Sequence, residues 1–224
     1  MTYKLEKYIW TDKDYEQMGW HDSTLYKIRV TQDLELDIDY ILKWNPPDLD
    51  GLSFTFWVAP ATLVFKNITI LYLELDVALS DHIEIEDIER IETSDGIEWT
   101  IMTRQGELTF LSVGYEQFIR QEPFFEFGQS ISFTARGGLS LERTTNQINP
   151  WRTRNDVLAA RQQDIDYYEH VKRRHLKRTE KEQLEIEREA NTIDLKQYLI
   201  KKRELNVILA QYDLYLKDTR FERW

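Results

Sequence analysis

The chain of 224 residues has no cysteine. Disulfides, thiolate metal sites and cysteine nucleophiles are therefore excluded, and the absence suits a reducing compartment. Histidine is scarce at four residues, which leaves few combinations for imidazole chemistry. Glycine (8) and proline (5) are also few. Neither a G-x-x-x-x-G-K nor a G-x-G-x-x-G phosphate loop occurs, and there is no G-x-S-x-G nucleophile elbow. The pair Gly137-Gly138 alone makes no phosphate site. No stretch approaches the roughly 18 uninterrupted apolar residues of a membrane span. The opening "MTYKLEKYIW" carries charges from Lys4 onward and lacks the apolar centre of a signal peptide. These absences point to a cytoplasmic protein with no membrane contact and no cofactor. No internal repeat appears at solenoid periods.

Charge is present in excess and unevenly placed. Residues 1–150 carry 26 acidic against 12 basic side chains, a net of −14, whereas residues 151–224 carry 14 against 17, a net of +3. A domain at −14 repels phosphate backbones, so nucleic acid is not expected as its ligand. A basic protein partner suits it.

The first part alternates with period two. In "DLELDIDY", Leu34, Leu36, Ile38 and Tyr40 face one way, and Asp33, Glu35, Asp37 and Asp39 the other. That pattern predicts a strand with one face on the core and its carboxylates in water. Thr24–Val30 is the strand before it, joined by Thr31-Gln32-Asp33. Asn45-Pro46-Pro47 marks the next turn, with Gly51 soon after. "LSFTFWVAPATLVF" predicts two strands broken or bent at Pro60. Further strands are expected over 69–77, 83–92, 97–103, 107–113 and 115–120. Ser94-Asp95-Gly96 and Gln105-Gly106 read as hairpin turns, and Ser80-Asp81 as a turn before His82. "DKDYEQMGW" reads as a short helix or loop, and "SISFTA" as an edge strand. The expected fold is α+β: an antiparallel β-sandwich or barrel-like domain over 1–122, an edge strand and linker over 123–150, then a charged helical hairpin over 151–224.

Between Asp156 and Arg223 there is neither glycine nor proline, and strong helix formers dominate. Asn155 or Asp156 can cap the start. Leu195, Tyr198, Leu205, Leu209, Tyr212 and Leu216 form an apolar coiled-coil-like seam, so these helices can also support self-association. Leu158, Ile165, Tyr168, Ile186 and Ala190 form a weaker stripe, interrupted by the polar run "KRRHLKRTEKE". A break near Asn191-Thr192, with Thr192 as the next cap, predicts a hairpin whose first arm has about 35 residues and is roughly 50 Å long. One continuous helix is the competing reading.

Candidate chemistry is sparse. His170 and His175 are about 140° apart on a helix and cannot share a metal as an i, i+4 pair would. "MGWHDSTLY" is the notable segment. His21 and Asp22, with Asp37 and Asp39 on a neighbouring strand, supply an imidazole and carboxylates. Together they could hold a hard cation or act as a general base. Adjacent side chains on an extended strand diverge, so convergence requires the chain to turn there. The alternative is structural, with Trp20 plugging one end of the sheet and Asp22 closing a turn. The basic run Lys172 to Arg178 can face phosphate through Lys172, Arg173 and Arg174, but "EKEQLEIERE" beside it reads as a solvated, salt-bridged face. Trp44, Phe54, Phe56, Trp57 and Phe65 are expected in the core for the most part. With Phe54 and Phe56 inward, Trp57 points outward as a contact residue.

The segments "MGWHDSTLYKI", "LELDIDYILKW", "FTFWVAPATLVFKNIT" and "GYEQFIRQEP" resemble a family of uncharacterised bacterial proteins with W-H-D, L-D-I-D-Y and P-A-T-L-x-F motifs. The resemblance covers roughly residues 15–122. It implies an all-β domain of bacterial origin and assigns no activity or catalytic residue. The resulting expectation is a non-enzymatic protein-binding module of the immunity or accessory type, with Trp20, Trp57, Asp37 and Asp39 as binding residues. The alternative is a metal-assisted hydrolase using His21, Asp22, Asp37 and Asp39.

Overall fold

The computed structural model describes residues 3–76 and 82–224. It divides into two compact units, Met1–Pro46 with Phe54–Arg152, and Pro47–Ser53 with Thr153–Trp224. The first is antiparallel sheet and the second is a helical hairpin, the expected α+β class.

Among the described residues, ten strands build the first unit: β1 (Ile9–Thr11), β2 (Ser23–Val30), β3 (Leu34–Asn45), β4 (Thr55–Phe65), β5 (Thr69–Leu75), β6 (Ile83–Thr93), β7 (Gly96–Thr103), β8 (Gly106–Ser112), β9 (Tyr115–Ile119) and β10 (Phe124–Glu126). They run in the order β1-β9-β4-β3-β2-β6-β7-β8-β5, with β10 also on β4. Two bent ribbons bring the ends of this order together. The β4–β9 pairing ends at Phe65↔Tyr115, and the β5–β8 pairing begins at Thr69↔Leu111. Between them, the Lys66 amide donates to the Gly114 carbonyl (2.9 Å) and the Val113 amide to the Lys66 carbonyl (3.1 Å). The sheet thus curls back into a barrel-like layer around one core. Inside it, the Phe65 ring lies 5.0 Å from Trp99 and 4.7 Å from Phe110. Gly114 forms the corner at φ +142°, where a Cβ would fall 2.2 Å from Asp12 Oδ2. The other oxygen of that carboxylate accepts the Tyr115 amide at 2.8 Å.

Leu34, Leu36, Ile38 and Tyr40 all enter this core, as the alternation predicts. β4 differs from expectation, since it runs unbroken through Pro60 and is buried throughout. The reason lies in its pairing. One edge of β4 is occupied by β10 over Phe56–Val58 and by β9 from Ala61 onward. Pro60 falls in the gap, where its missing N–H breaks no ladder bond, and its carbonyl accepts the Arg120 amide at 3.0 Å.

"DKDYEQ" forms a 3-10 helix, Asp12–Gln17, closed by a capping box between Thr11 and Asp14. "SISFTA" is not an edge strand. Ser132 caps a single helical turn, α1 (Phe133–Arg136), which ends at Gly137 in the left-handed conformation. The expected strand end at Val77 and the turn at Ser80-Asp81 lie outside the described residues.

In the second unit, α2 (Asn155–Glu189) and α3 (Leu195–Leu216) pack as a hairpin. α2 stops at Ala190, and Asn191 turns the chain at φ +55°. Asp194, not Thr192, caps α3 by accepting from the Lys196 and Gln197 amides; the Thr192 hydroxyl donates back to the Glu187 carbonyl. Tyr198, Leu205, Leu209 and Leu216 are buried as the seam predicts, but Leu195 is exposed. The stripe expected on α2 is displaced. Leu158, Ile165 and Ile186 are exposed, while Tyr168, Val171, Arg174 and Leu184 are buried. No helix among the described residues is long and apolar enough to cross a membrane.

Candidate functional site

The outer face of β3 is the most unusual surface of the sheet. With Leu34, Leu36 and Ile38 inward, Glu35, Asp37, Asp39 and Ile41 must point away from the core. They do not point into water. Glu35 is 3% exposed, and Asp37 and Asp39 are fully buried. The segment after β10 folds across them as a strap running from Gln129 through α1 to Arg143. Arg136 grips Asp37 with both terminal nitrogens (2.6 and 3.1 Å), and its Nε donates to Asp39 (3.1 Å). Arg120 Nη2 donates to Asp37 at 2.7 Å, and the Ser140 amide does so at 2.9 Å. The Ile131 amide and the Tyr26 hydroxyl complete Asp39, at 2.7 and 2.9 Å. At the strap's end, Arg143 bridges Asp33 (2.6 Å) and Glu35 (2.8 Å), and Glu35 also pairs with Arg29.

Two buried carboxylates meet two buried guanidinium groups, so the layer carries no net charge, as burial demands. Burial pushes Asp39 upward, opposed by Arg136 and by the bonds from Ile131 and Tyr26. Burial also raises the Tyr26 phenol, helped by the charge of Asp39. It lowers Arg120 despite Asp37. Burial works against Arg136 as well, but Asp37 and Asp39 outweigh it and raise the group. The hydrogen bond from Arg29 holds Glu35 below the usual carboxylate range. The binding assigned to Asp37 and Asp39 is therefore corrected: what they hold is this chain's own arginines, which clip the strap to the sheet.

The W-H-D segment does turn. Asp22 has φ +63°, its amide donates to Ile85 O (2.8 Å), and the Ser23 amide donates to Trp20 O (3.0 Å). The turn lets neighbouring side chains meet, placing His21 Nδ1 2.9 Å from Asp22 Oδ1. Gln129 donates to the same carboxylate. Asp37 and Asp39 take no part in this pair, being engaged by Arg120 and Arg136. Among the described residues no group of three or more histidine and acidic side chains is arranged to hold a metal. The hydrolase reading, which required His21, Asp22, Asp37 and Asp39 to converge, thus lacks its site.

Both tryptophans expected as binding residues are buried, Trp20 in keeping with the structural alternative for its segment. Trp20 lies inside the barrel, 2% exposed, donating to Gln117 Oε1 at 2.8 Å. Trp57 is not an outward contact but is buried between Tyr3 and Phe125, each 5.5 Å away. Of the aromatic cluster Trp44, Phe54, Phe56, Trp57 and Phe65, the exposed members are Trp44 (40%) and Phe54 (45%), 6.0 Å apart. A register shift between Ile41 and Lys43 puts Trp44 on the same outer face as Ile41.

On the hairpin, most of the basic run is paired within its own unit. Lys172 pairs with Asp48 (2.8 Å), Lys177 with Glu180 (2.6 Å) and Arg178 with Asp213 (3.4 Å). Arg174 is buried and donates to the carbonyls of Phe221, Glu222 and Trp224, tying down the C-terminal turn. It therefore cannot present to phosphate. Apolar side chains emerge on the other side of the hairpin. Ile200, Val207 and Leu214 recur every seven residues along α3 and are 50%, 54% and 74% exposed. They lie opposite Tyr198 and Leu205, which face α2.

Comparison with protein-family models, with curated proteins and with solved structures finds no match.

Proposed function

We propose that this chain is a non-enzymatic protein-binding module of the immunity or accessory type. Its acidic sheet unit recognises a basic partner, and its hairpin mediates assembly. The single observation that supports this reading most is the exposed heptad stripe Ile200–Val207–Leu214. A helix already paired along one face has no structural need for a second apolar face with coiled-coil spacing, and such faces are covered by another helix when one is offered. The sheet unit supports the same reading from the other side. Its Glu35, Asp37 and Asp39 are engaged by arginines and do not converge with His21 and Asp22.

Sedimentation velocity on the full chain tests the proposal. A species larger than the monomer is expected, reduced to monomer by the double change Val207→Glu and Leu214→Glu, with the circular dichroism unchanged. A chain that is strictly monomeric and recovers no partner in a pull-down would overturn it.

A further inference from the structure

Strand β5 lies at one end of the sheet order, and among the described residues it pairs with β8 alone. Just before it, the Ile68 amide donates to the Gln32 carbonyl at the β2–β3 turn (2.9 Å). Ile70 then bulges out of register at φ +53°. Over residues 71–75 the pairing with β8 is regular, and it continues to Asp76, whose amide donates to the Gln105 carbonyl at 2.8 Å. Antiparallel bonding alternates along a strand, so Tyr72 and Glu74 bond β8 in the same way. The N–H and C=O groups of Leu71, Leu73 and Leu75 therefore point to the other edge, where no strand among the described residues meets them. The side chains record the same gap. Leu71 and Leu75 pack on the core, yet Leu73 between them is 51% exposed, although its register partner Leu108 is fully buried. On the opposite face Tyr72 is 71% exposed. Glu74 on that face stands across from Glu107 on β8; both are exposed, and neither pairs with a cation among the described residues. Like charges in register repel. β5 itself holds no lysine, arginine or proline.

We infer that the open edge of β5, over residues 71–75, receives an extended strand of a basic partner protein, which joins the sheet and sets a lysine or arginine beside Glu74 and Glu107. The inference rests on the protein-binding reading above and names the edge and the form of the partner segment. Backbone donors and acceptors at two-residue spacing fit an extended chain, and an apolar edge strand without lysine or proline is a template for one. Side chains of the added strand alternate between the two faces. Apolar ones cover Leu73, and cationic ones fall beside the two glutamates. The charge of −14 over residues 1–150 draws in such a segment. A second copy of β5 fits less well, because it brings no cation to Glu74 and adds a further unit of the same sign.

The test uses the full chain and three acetylated, amidated octapeptides. The first alternates valine and lysine, and the second alternates valine and glutamate. The third is the first methylated on the backbone nitrogens of its two central residues, which removes a donor from each edge and keeps every charge. Amide shifts are followed by NMR during titration. The lysine peptide is expected to shift the Leu71, Leu73 and Leu75 amides saturably. The glutamate and methylated peptides should each bind about tenfold more weakly or worse. The deciding variant is Leu73→Pro, which removes a donor from the open edge and no bond to β8. It should keep the circular dichroism and sedimentation of the native chain and weaken the lysine peptide about tenfold or more. Should that variant unfold, the methylated peptide decides the matter on the unaltered chain. Absence of saturable binding, shifts that bypass β5, equal binding of the first peptide and either of the others, or unchanged affinity in a folded Leu73→Pro would each overturn the inference. A smaller assembly in Leu73→Pro would also overturn it, by giving the edge to a second copy. Sedimentation of the hairpin variants reads the α3 stripe independently, so assembly that survives a negative titration removes the edge site alone.

Discussion

The two units invert the usual rule in opposite directions. The sheet unit hides Asp37, Asp39, Arg120 and Arg136, all fully buried, while the hairpin exposes Ile200, Val207 and Leu214 to water. In the sheet unit the apolar face of β3 is satisfied by the barrel, and the acidic face is satisfied by a strap that brings matching arginines. In the hairpin, α2 covers one face of α3 and nothing within the unit covers the other. Charge can be buried where the chain supplies its own counter-charge in fixed geometry. Apolar surface stays out where the unit itself has no further element to cover it, and that difference separates structure from interface here.

The comparison can be broken most forcefully at the strap. Arg136→Met removes the group that holds both Asp37 and Asp39 and leaves buried carboxylates without enough counter-charge. It should cost about 3–5 kcal/mol in urea unfolding of the sheet unit. A loss near zero would mean that the strap contributes nothing to holding the face.

Within the hairpin, the inward and outward residues of α3 should respond differently. Leu205→Ala opens a cavity against α2 and should cost about 2–5 kcal/mol, read from the helical dichroism. Val207→Ala should stay within about 0.5 kcal/mol for the isolated chain. Similar costs at the two positions would mean that the stripe is already covered.

Acid titration sharpens the sheet side. The hydrogen bond from the Asn67 amide, followed by Arg143, holds Asp33 below its ordinary value, and Arg29 does the same for Glu35. The unfolded chain therefore takes up these protons first, near the ordinary carboxylate pKa of about 4. Their stabilisation is complete above that pH and is lost as the pH falls through it toward the lowered folded values. Asp39 acts in the opposite sense, because its raised pKa lets the folded form bind a proton earlier. Combining Asp33→Asn with Glu35→Gln should flatten the acid limb of the stability profile, and an unchanged slope would place the acid sensitivity elsewhere.

In the sheet unit the smallest effect is expected at Trp44. Its replacement by leucine should change stability by about 1 kcal/mol or less, since the ring is partly in water. A large loss would identify it as core.

Part of the candidate site was readable in the sequence and part was not. "LELDIDY" predicted which side chains of β3 enter the core, but alternation distinguishes two faces without saying what covers the second. The covering arginines lie 83 or more positions further along the chain. A signal existed, because Arg120, Arg136 and Arg143 are the only basic residues between 105 and 150 and all three serve the acidic face of β3. Trp44 was misassigned because the shift between Ile41 and Lys43 resets which residues of β3 share a face, and nothing in the residue types marks that position. Trp57 was misassigned because an inward Phe56 places it outward, whereas Trp57 shares its face of β4 with Ala59, Ala61, Leu63 and Phe65. Arg174 was taken for a solvated charge because helical periodicity does not reveal that the C-terminal turn would fold back onto it.

What the sequence determined by itself is local: strand periodicity from 24 to 119, the cysteine-free chemistry, the helix formers after 155 and the break at Asn191. These follow from backbone preference and from apolar spacing, which act between near neighbours. What only the tertiary structure decided is which polar residues meet each other: the Asp–Arg layer under the strap and the His21–Asp22 pair. Such meetings depend on loop closures across the whole unit, and those are set by the joint fit of the barrel rather than by any single segment.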